Sequence, residues 1–185
     1  MLLGILSSLT FAGAAGGSTV VTFSVTSGTG FSINVIAIPE KRTPTTGNNG
    51  TLLTVEVRNH GSTTPLATTT VVTSSGGTLS GVSIPLTNGT YDITAKGYSH
   101  LRVIKSNQSL SQNTTIDFTA NATSPLLCGD VNGTSGDNKV NGIDLTQIVS
   151  GLTTYDVRYD LNRDGRVNGI DLTNAVSNLN QTGAS

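Results

Sequence analysis

Asp160-Leu161-Asn162-Arg163-Asp164-Gly165-Arg166-Val167-Asn168-Gly169-Ile170-Asp171 is the stretch on which the reading of this chain turns. Oxygen-bearing side chains stand at its first, third, fifth, ninth and twelfth positions: Asp160, Asn162, Asp164, Asn168 and Asp171. Gly165 takes the sixth position, where a wound loop must turn sharply, and Arg166 offers a backbone carbonyl at the seventh. Alternate residues of such a loop point inward, so their oxygens can converge on one hard cation that wants six to eight ligands.

That schedule is the one used by EF-hand calcium loops, with Asp171 in place of the usual closing Glu. The stretch after it is duplicated. Val140-Asn141-Gly142-Ile143-Asp144-Leu145-Thr146-Gln147-Ile148-Val149-Ser150-Gly151-Leu152 recurs 27 residues later, from Val167 to Leu179, with ten of thirteen positions identical. Ahead of the first copy, Asp130 and Asn132 match the first and third loop positions. Asp137, Val140, Asn141 and Asp144 match the later ones once three extra residues are allowed around 133–136, which puts the carbonyl of Lys139 at the seventh. Asn138 then falls where glycine is expected, and Asn tolerates a left-handed backbone better than most residues. Two Ca²⁺ ions are therefore expected. Asp130, Asn132, Asp137, Lys139, Asn141 and Asp144 would hold the first, and Asp160, Asn162, Asp164, Arg166, Asn168 and Asp171 the second. A short amphipathic helix is expected after each loop, because Leu145, Ile148, Val149 and Leu152, and again Leu172, Ala175, Val176 and Leu179, follow i, i+3, i+4, i+7 spacing.

A calcium loop followed by one helix, present twice between residues 129 and 180, resembles the type I dockerin family. The resemblance implies a compact α domain that binds a cohesin, itself a β-sandwich. The family's contact positions correspond to Gly142-Ile143 and Gly169-Ile170, where this chain carries no hydroxyl.

Upstream the period changes from helical to alternating. Strands are expected over residues 18–26, 31–38, 51–58, 66–73, 78–85, 90–96, 101–105 and 114–118. Val21, Phe23 and Val25 share one face, as do Leu53, Val55 and Val57, and Tyr91, Ile93 and Ala95. Turn residues separate them: Gly28-Thr29-Gly30, Asn48-Asn49-Gly50, Asn59-His60-Gly61, Gly76-Gly77 and Asn88-Gly89. Short strands at this spacing indicate an antiparallel β-sandwich. Residues 85–98, PLTNGTYDITAKGY, resemble the strand-turn signature of carboxypeptidase regulatory-like and prealbumin-like sandwiches. The fold expected is thus mainly β with a small α domain: an apolar segment 1–17, a sandwich 18–120, a linker 121–128 and a calcium-binding unit 129–180.

Composition agrees. Thr (30), Ser (20), Asn (16) and Gly (22) make up nearly half of the 185 residues, which suits strands and tight turns. The charge divides unevenly: residues 1–127 carry six Lys/Arg against four acids, and residues 128–185 carry seven Asp against four Lys/Arg. A net charge of −1 and the lack of Trp argue against a nucleic-acid partner or an aromatic sugar platform. Cys128 stands alone, so no intrachain disulfide forms, and it reads as a small buried residue at a domain junction. His60 and His100 read as solvated or hydrogen-bonded. No nucleophile elbow, phosphate loop or zinc spacing is present, and an enzyme is not expected.

Residues 1–17, MLLGILSSLTFAGAAGG, read either as a secretory signal without its basic leader or as an apolar segment docked in an assembly. Any membrane association would run through that segment if it is not cleaved. The function expected is that of a non-enzymatic, extracellular, calcium-binding structural protein in a cell-surface assembly or filament. Its partners would be other copies of itself or a cohesin-like β-sandwich. The alternative is a carbohydrate-binding or accessory module tethered to a cohesin scaffold by its dockerin.

Overall fold

The fold is that of a computed structural model, which describes residues 30–42, 47–119 and 126–185. Among these residues seven strands and two helices follow one another: β1 (Phe31–Ile36), β2 (Leu52–Arg58), β3 (Pro65–Val72), β4 (Thr78–Ile84), β5 (Gly89–Gly97), β6 (Val103–Leu110), β7 (Thr115–Asp117), α1 (Gly142–Gly151) and α2 (Gly169–Ser177). The strand expected at 18–26 and the apolar segment 1–17 lie outside the described residues, as do residues 120–125.

Alternation decides the packing. In β1, Phe31, Ile33 and Val35 are buried and the residues between them are not. Leu53, Val55 and Val57 of β2 and Ile93 and Ala95 of β5 face the same interior, as their period of two requires. Two sheets result, one in the order β4-β1-β7 and one in the order β3-β2-β5-β6, and their apolar faces enclose one core. The mainly-β sandwich with a small α region stands as expected. One pairing departs from the antiparallel plan: β7 runs parallel to β1, with Val35 opposite Ile116. The chain crosses from β6 in one sheet to β7 in the other through a turn at Asn113, whose backbone is left-handed (φ 65°), and so arrives alongside β1 in its own direction.

The helices sit on a second, smaller core of Cys128, Val131, Ile148, Leu161 and Ala175. Their expected apolar stripe is only half used. Ile148 and Ala175 are buried, whereas Val149, Leu152, Val176 and Leu179 face solvent. Each helix is too short to bury a full stripe against so few residues. Among the described residues, no helix is long and apolar enough to cross a membrane.

Candidate functional site: two carboxylate loops at the edge of the sandwich

The second loop winds its backbone around its own acids. Asp160 accepts the amides of Asp164 (Oδ1, 3.2 Å) and Gly165 (Oδ2, 3.0 Å), and Asn162 Oδ1 accepts Asp164 N at 3.1 Å. Gly165 has φ 87°, so the left-handed turn expected at the sixth position is present. Asp171 staples the loop's two ends. Its Oδ1 accepts the amides of Leu161 (2.8 Å) and Asn162 (3.3 Å), and its Oδ2 accepts that of Asn168 (2.8 Å). Asn168 in turn caps α2 by accepting Ile170 N, completing a capping box with Asp171. Arg166 N donates to Asp164 Oδ1 at 3.0 Å, which leaves the Arg166 carbonyl on the loop's path.

The first loop repeats this wiring bond for bond despite its longer sequence. Asp130 accepts the amides of Asp137 (Oδ1, 2.9 Å) and Asn138 (Oδ2, 3.0 Å), and Asn132 Oδ1 accepts Asp137 N at 2.8 Å. Asn138 holds φ 67° and plays the part of Gly165. Lys139 N donates to Asp137 Oδ1 as Arg166 N does to Asp164. Asp144 accepts Val131 N (2.8 Å), Asn132 N (3.0 Å) and Asn141 N (2.8 Å), and Asn141 caps α1. The three extra residues are folded over Asp130: a Cβ on Gly136 would lie 2.2 Å from the Asp130 carboxylate, so only glycine fits there. The two loops therefore share one hydrogen-bonding pattern at their first, third, fifth, ninth and twelfth positions.

Electrostatics separate these loops from an ordinary polar surface. Asp130, Asp144, Asp160 and Asp171 are all at most 1% exposed. Burial pushes the Asp130 carboxyl up, although Lys96 and the Asn138 amide pull it down. Burial likewise pushes Asp171 up against the amides of Asn168, Asn162 and Leu161. Among the described residues, Asp130 alone of the four is ion-paired, to Lys96. No group of three or more carboxylate, imidazole or thiol side chains is drawn together as a ready-made metal cage among the described residues. The loops instead combine carboxylates with amide oxygens and backbone carbonyls, the mixed hard-oxygen set that Ca²⁺ accepts.

The loops are locked to the sandwich by long-range hydrogen bonds that sequence reasoning did not anticipate. Ser99 Oγ donates to Arg158 O (2.9 Å), Arg102 N to Asn138 Oδ1 (2.7 Å), Asn48 Nδ2 to Arg163 O (2.9 Å) and Asn178 Nδ2 to Glu40 Oε2 (2.6 Å). Residues 126–128, expected within a linker, are bridged to Pro39 and His100. Cys128 is buried, and burial together with Glu40 pushes its thiol far up, as suits an inert packing residue. Glu40 and Glu56 act separately, the first at this joint and the second with Arg58 and Arg102. His60 is hydrogen-bonded to Asp92, as expected. His100 is not as expected: it is buried with neither ring nitrogen bonded, because strand β5 and the joint close over it. Tyr98 is stacked against and hydrogen-bonded to Arg163.

No protein-family model and no curated protein matches this chain. Solved structures share its fold, two of them as follows. Both are interface mutants of a type II cohesin–X-dockerin complex from Acetivibrio cellulolyticus. To the C-terminal interface mutant the TM-score is 0.60 at 23% identity, covering 83% of this chain and 97% of that chain. To the N-terminal interface mutant it is 0.53 at 23% identity, covering 83% and 96%. The likeness is one of fold: a β-sandwich carrying a small helical region.

Proposed function

We propose that this chain is a non-enzymatic, calcium-binding protein-interaction module of an extracellular assembly, its C-terminal part a dockerin-like pair of calcium loops. One observation carries the metal. Asp144, Asp160 and Asp171 are buried without a cationic side chain bonded to them among the described residues. Buried carboxylates cost several kcal/mol each unless a counter-charge is supplied, on the order of what a bound divalent ion returns. The donor set fits Ca²⁺: two equivalent loops, each with three aspartates, two asparagines and a carbonyl at the seventh position. When bound, the ion supplies charge compensation and holds each loop in shape, and no reaction is assigned to it.

The interaction role rests on the face the helices leave open. Ile143 and Ile170 are 58% and 54% exposed, and Val149 with Val176 and Leu152 with Leu179 stand out in the same paired way. The duplication thus offers the same apolar triplet twice. The solved complexes join a cohesin to an X-dockerin, and a β-sandwich is the partner proposed here. It is supplied by another copy of this chain, giving a heterologous chain of subunits, or by a separate cohesin-like module.

Equilibrium dialysis of the full chain tests the metal: two Ca²⁺ per chain are expected, and none bound at millimolar calcium refutes the proposal. Light scattering in calcium then tests the partner. Calcium-dependent self-association that Ile143→Asp with Ile170→Asp abolishes identifies a second copy, and a monomer that binds a cohesin-like sandwich through the same residues identifies the separate module.

A further inference from the structure

The two loops differ in who touches the outer oxygen of their first aspartate. In both, Oδ1 accepts the amide of the fifth loop residue and Oδ2 that of the sixth. In the second loop, Oδ2 of Asp160 also accepts the neutral phenol of Tyr155 at 3.2 Å. In the first, Oδ2 of Asp130 accepts the ammonium of Lys96 at 2.5 Å. Lys96 belongs to β5, its side chain is 11% exposed, and it also donates to His100 O at 2.9 Å, so it is held in place from the sandwich. A second outside cation reaches the same loop, for Arg158 Nη1 donates to Gly133 O at 2.6 Å. The second loop has arginines near it, but Arg163 is turned onto Tyr98, Arg166 is exposed and buried Arg42 acts on Asp160 only through space, and none of the three is ion-paired with a loop acid among the described residues.

We propose that Lys96 is a tuning residue that makes the first loop the weaker of the two calcium sites and couples its filling to the sandwich. The proposal rests on the calcium reading above. A fixed positive charge on a ligand carboxylate opposes a dication through space and draws electron density from the oxygen that would bind it, whereas a phenol only orients its carboxylate. Outer partners of metal ligands typically shift affinity by tenfold or more. The second loop therefore fills first, and the first loop fills only where calcium is abundant.

Calorimetric titration of the full chain with CaCl₂ decides the matter. The wild type should show two classes of site, and Asp164→Ala should remove the tighter one. Lys96→Met should tighten the weaker class by about tenfold, and Lys96→Arg should leave it weak. A residue that merely props up the joint would weaken binding when removed, so tightening is the diagnostic sign. Two sites of equal affinity, or a weaker class that Lys96→Met leaves unchanged or loosens, overturns the proposal while leaving the calcium reading intact. Should Lys96→Met fold poorly, Tyr155→Lys in the second loop provides the converse arm. It should weaken the tighter class, and an unchanged affinity there counts equally against the idea. Absence of calcium binding in every variant removes both readings together.

Discussion

In the sandwich, Glu56 meets Arg58 at 2.5 Å and Arg102 at 3.3 Å, and Asp92 is bonded by His60 and the amides of Gly61 and Asn107. In the loop–helix unit, Asp144, Asp160 and Asp171 are equally buried with backbone amides and one phenol for company. The cores differ to match: among the described residues, sixteen buried apolar residues lie between the sheets and five beneath the helices. Buried apolar area scales the hydrophobic contribution, so the sandwich can stand on packing alone. The loop–helix unit has a smaller core and carries three buried aspartates with no cationic side chain bonded to them among the described residues. Small units of this kind need a staple, and with no disulfide available the Ca²⁺ ions proposed above would supply it.

Chelation should open the widest gap between the two regions. At millimolar calcium and micromolar affinity, each ion would stabilise the folded unit by about 4 kcal/mol through mass action. Hydrogen exchange in excess chelator should show the amides of α1 and α2 losing protection while those of β2 and β5 keep it. Equal protection with and without calcium would erase the distinction. Leu53→Ala probes the opposite side. It empties the centre of the large core and should cost about 3 kcal/mol in the sandwich transition, with calcium affinity at the second loop unaltered in titration.

A narrower cut separates the loops from each other. Gly136→Ala places a methyl against the Asp130 carboxylate at a backbone angle of φ 74°, so the inserted turn must move. We expect about 2 kcal/mol of destabilisation and loss of one of the two bound calcium ions, read by calorimetry, with the other retained.

Acid gives the most graded contrast. Burial, with Arg42, Lys96 and Arg163 around it, holds the His100 imidazole well below its ordinary value. An unfolded histidine takes up a proton near pH 6.5 while the folded one does not, so the contribution of His100 to stability is constant above that pH. As pH falls through 6.5, it declines by about 1.4 kcal/mol per unit until the folded group also protonates. Asp92 works in a lower window. Burial raises it, but the Gly61 amide, the His60 ring and the Asn107 amide outweigh that and bring it to about 2. Its contribution is present above the ordinary carboxylate range and is lost only as pH falls from there toward 2. Chemical denaturation between pH 7 and pH 4 should therefore show a decline that His100→Gln flattens. A profile unchanged by that substitution would remove His100 from the account.

Much of this was legible residue by residue because its causes are local. A loop whose oxygens, turn and helix cap all fall within twelve positions writes its geometry into its spacing, which is why Asn138 could be matched to Gly165 across a three-residue insertion. Alternation placed Leu53, Val55 and Val57 in the core for the same reason. What the residues could not announce depends on neighbours distant in the chain. β6 runs on through polar Ser106, Asn107 and Gln108, because an edge strand is held by β5's backbone and needs no apolar face there. The parallel seat of β7 follows from where the crossover lands, and the exposure of Val149 and Val176 from how little core the helices share. Lys96 looks like any strand lysine, and only folding brings it to Asp130, 34 residues away. Local spacing specifies loops, caps and faces; which charge lies against which carboxylate is settled only when the two units pack.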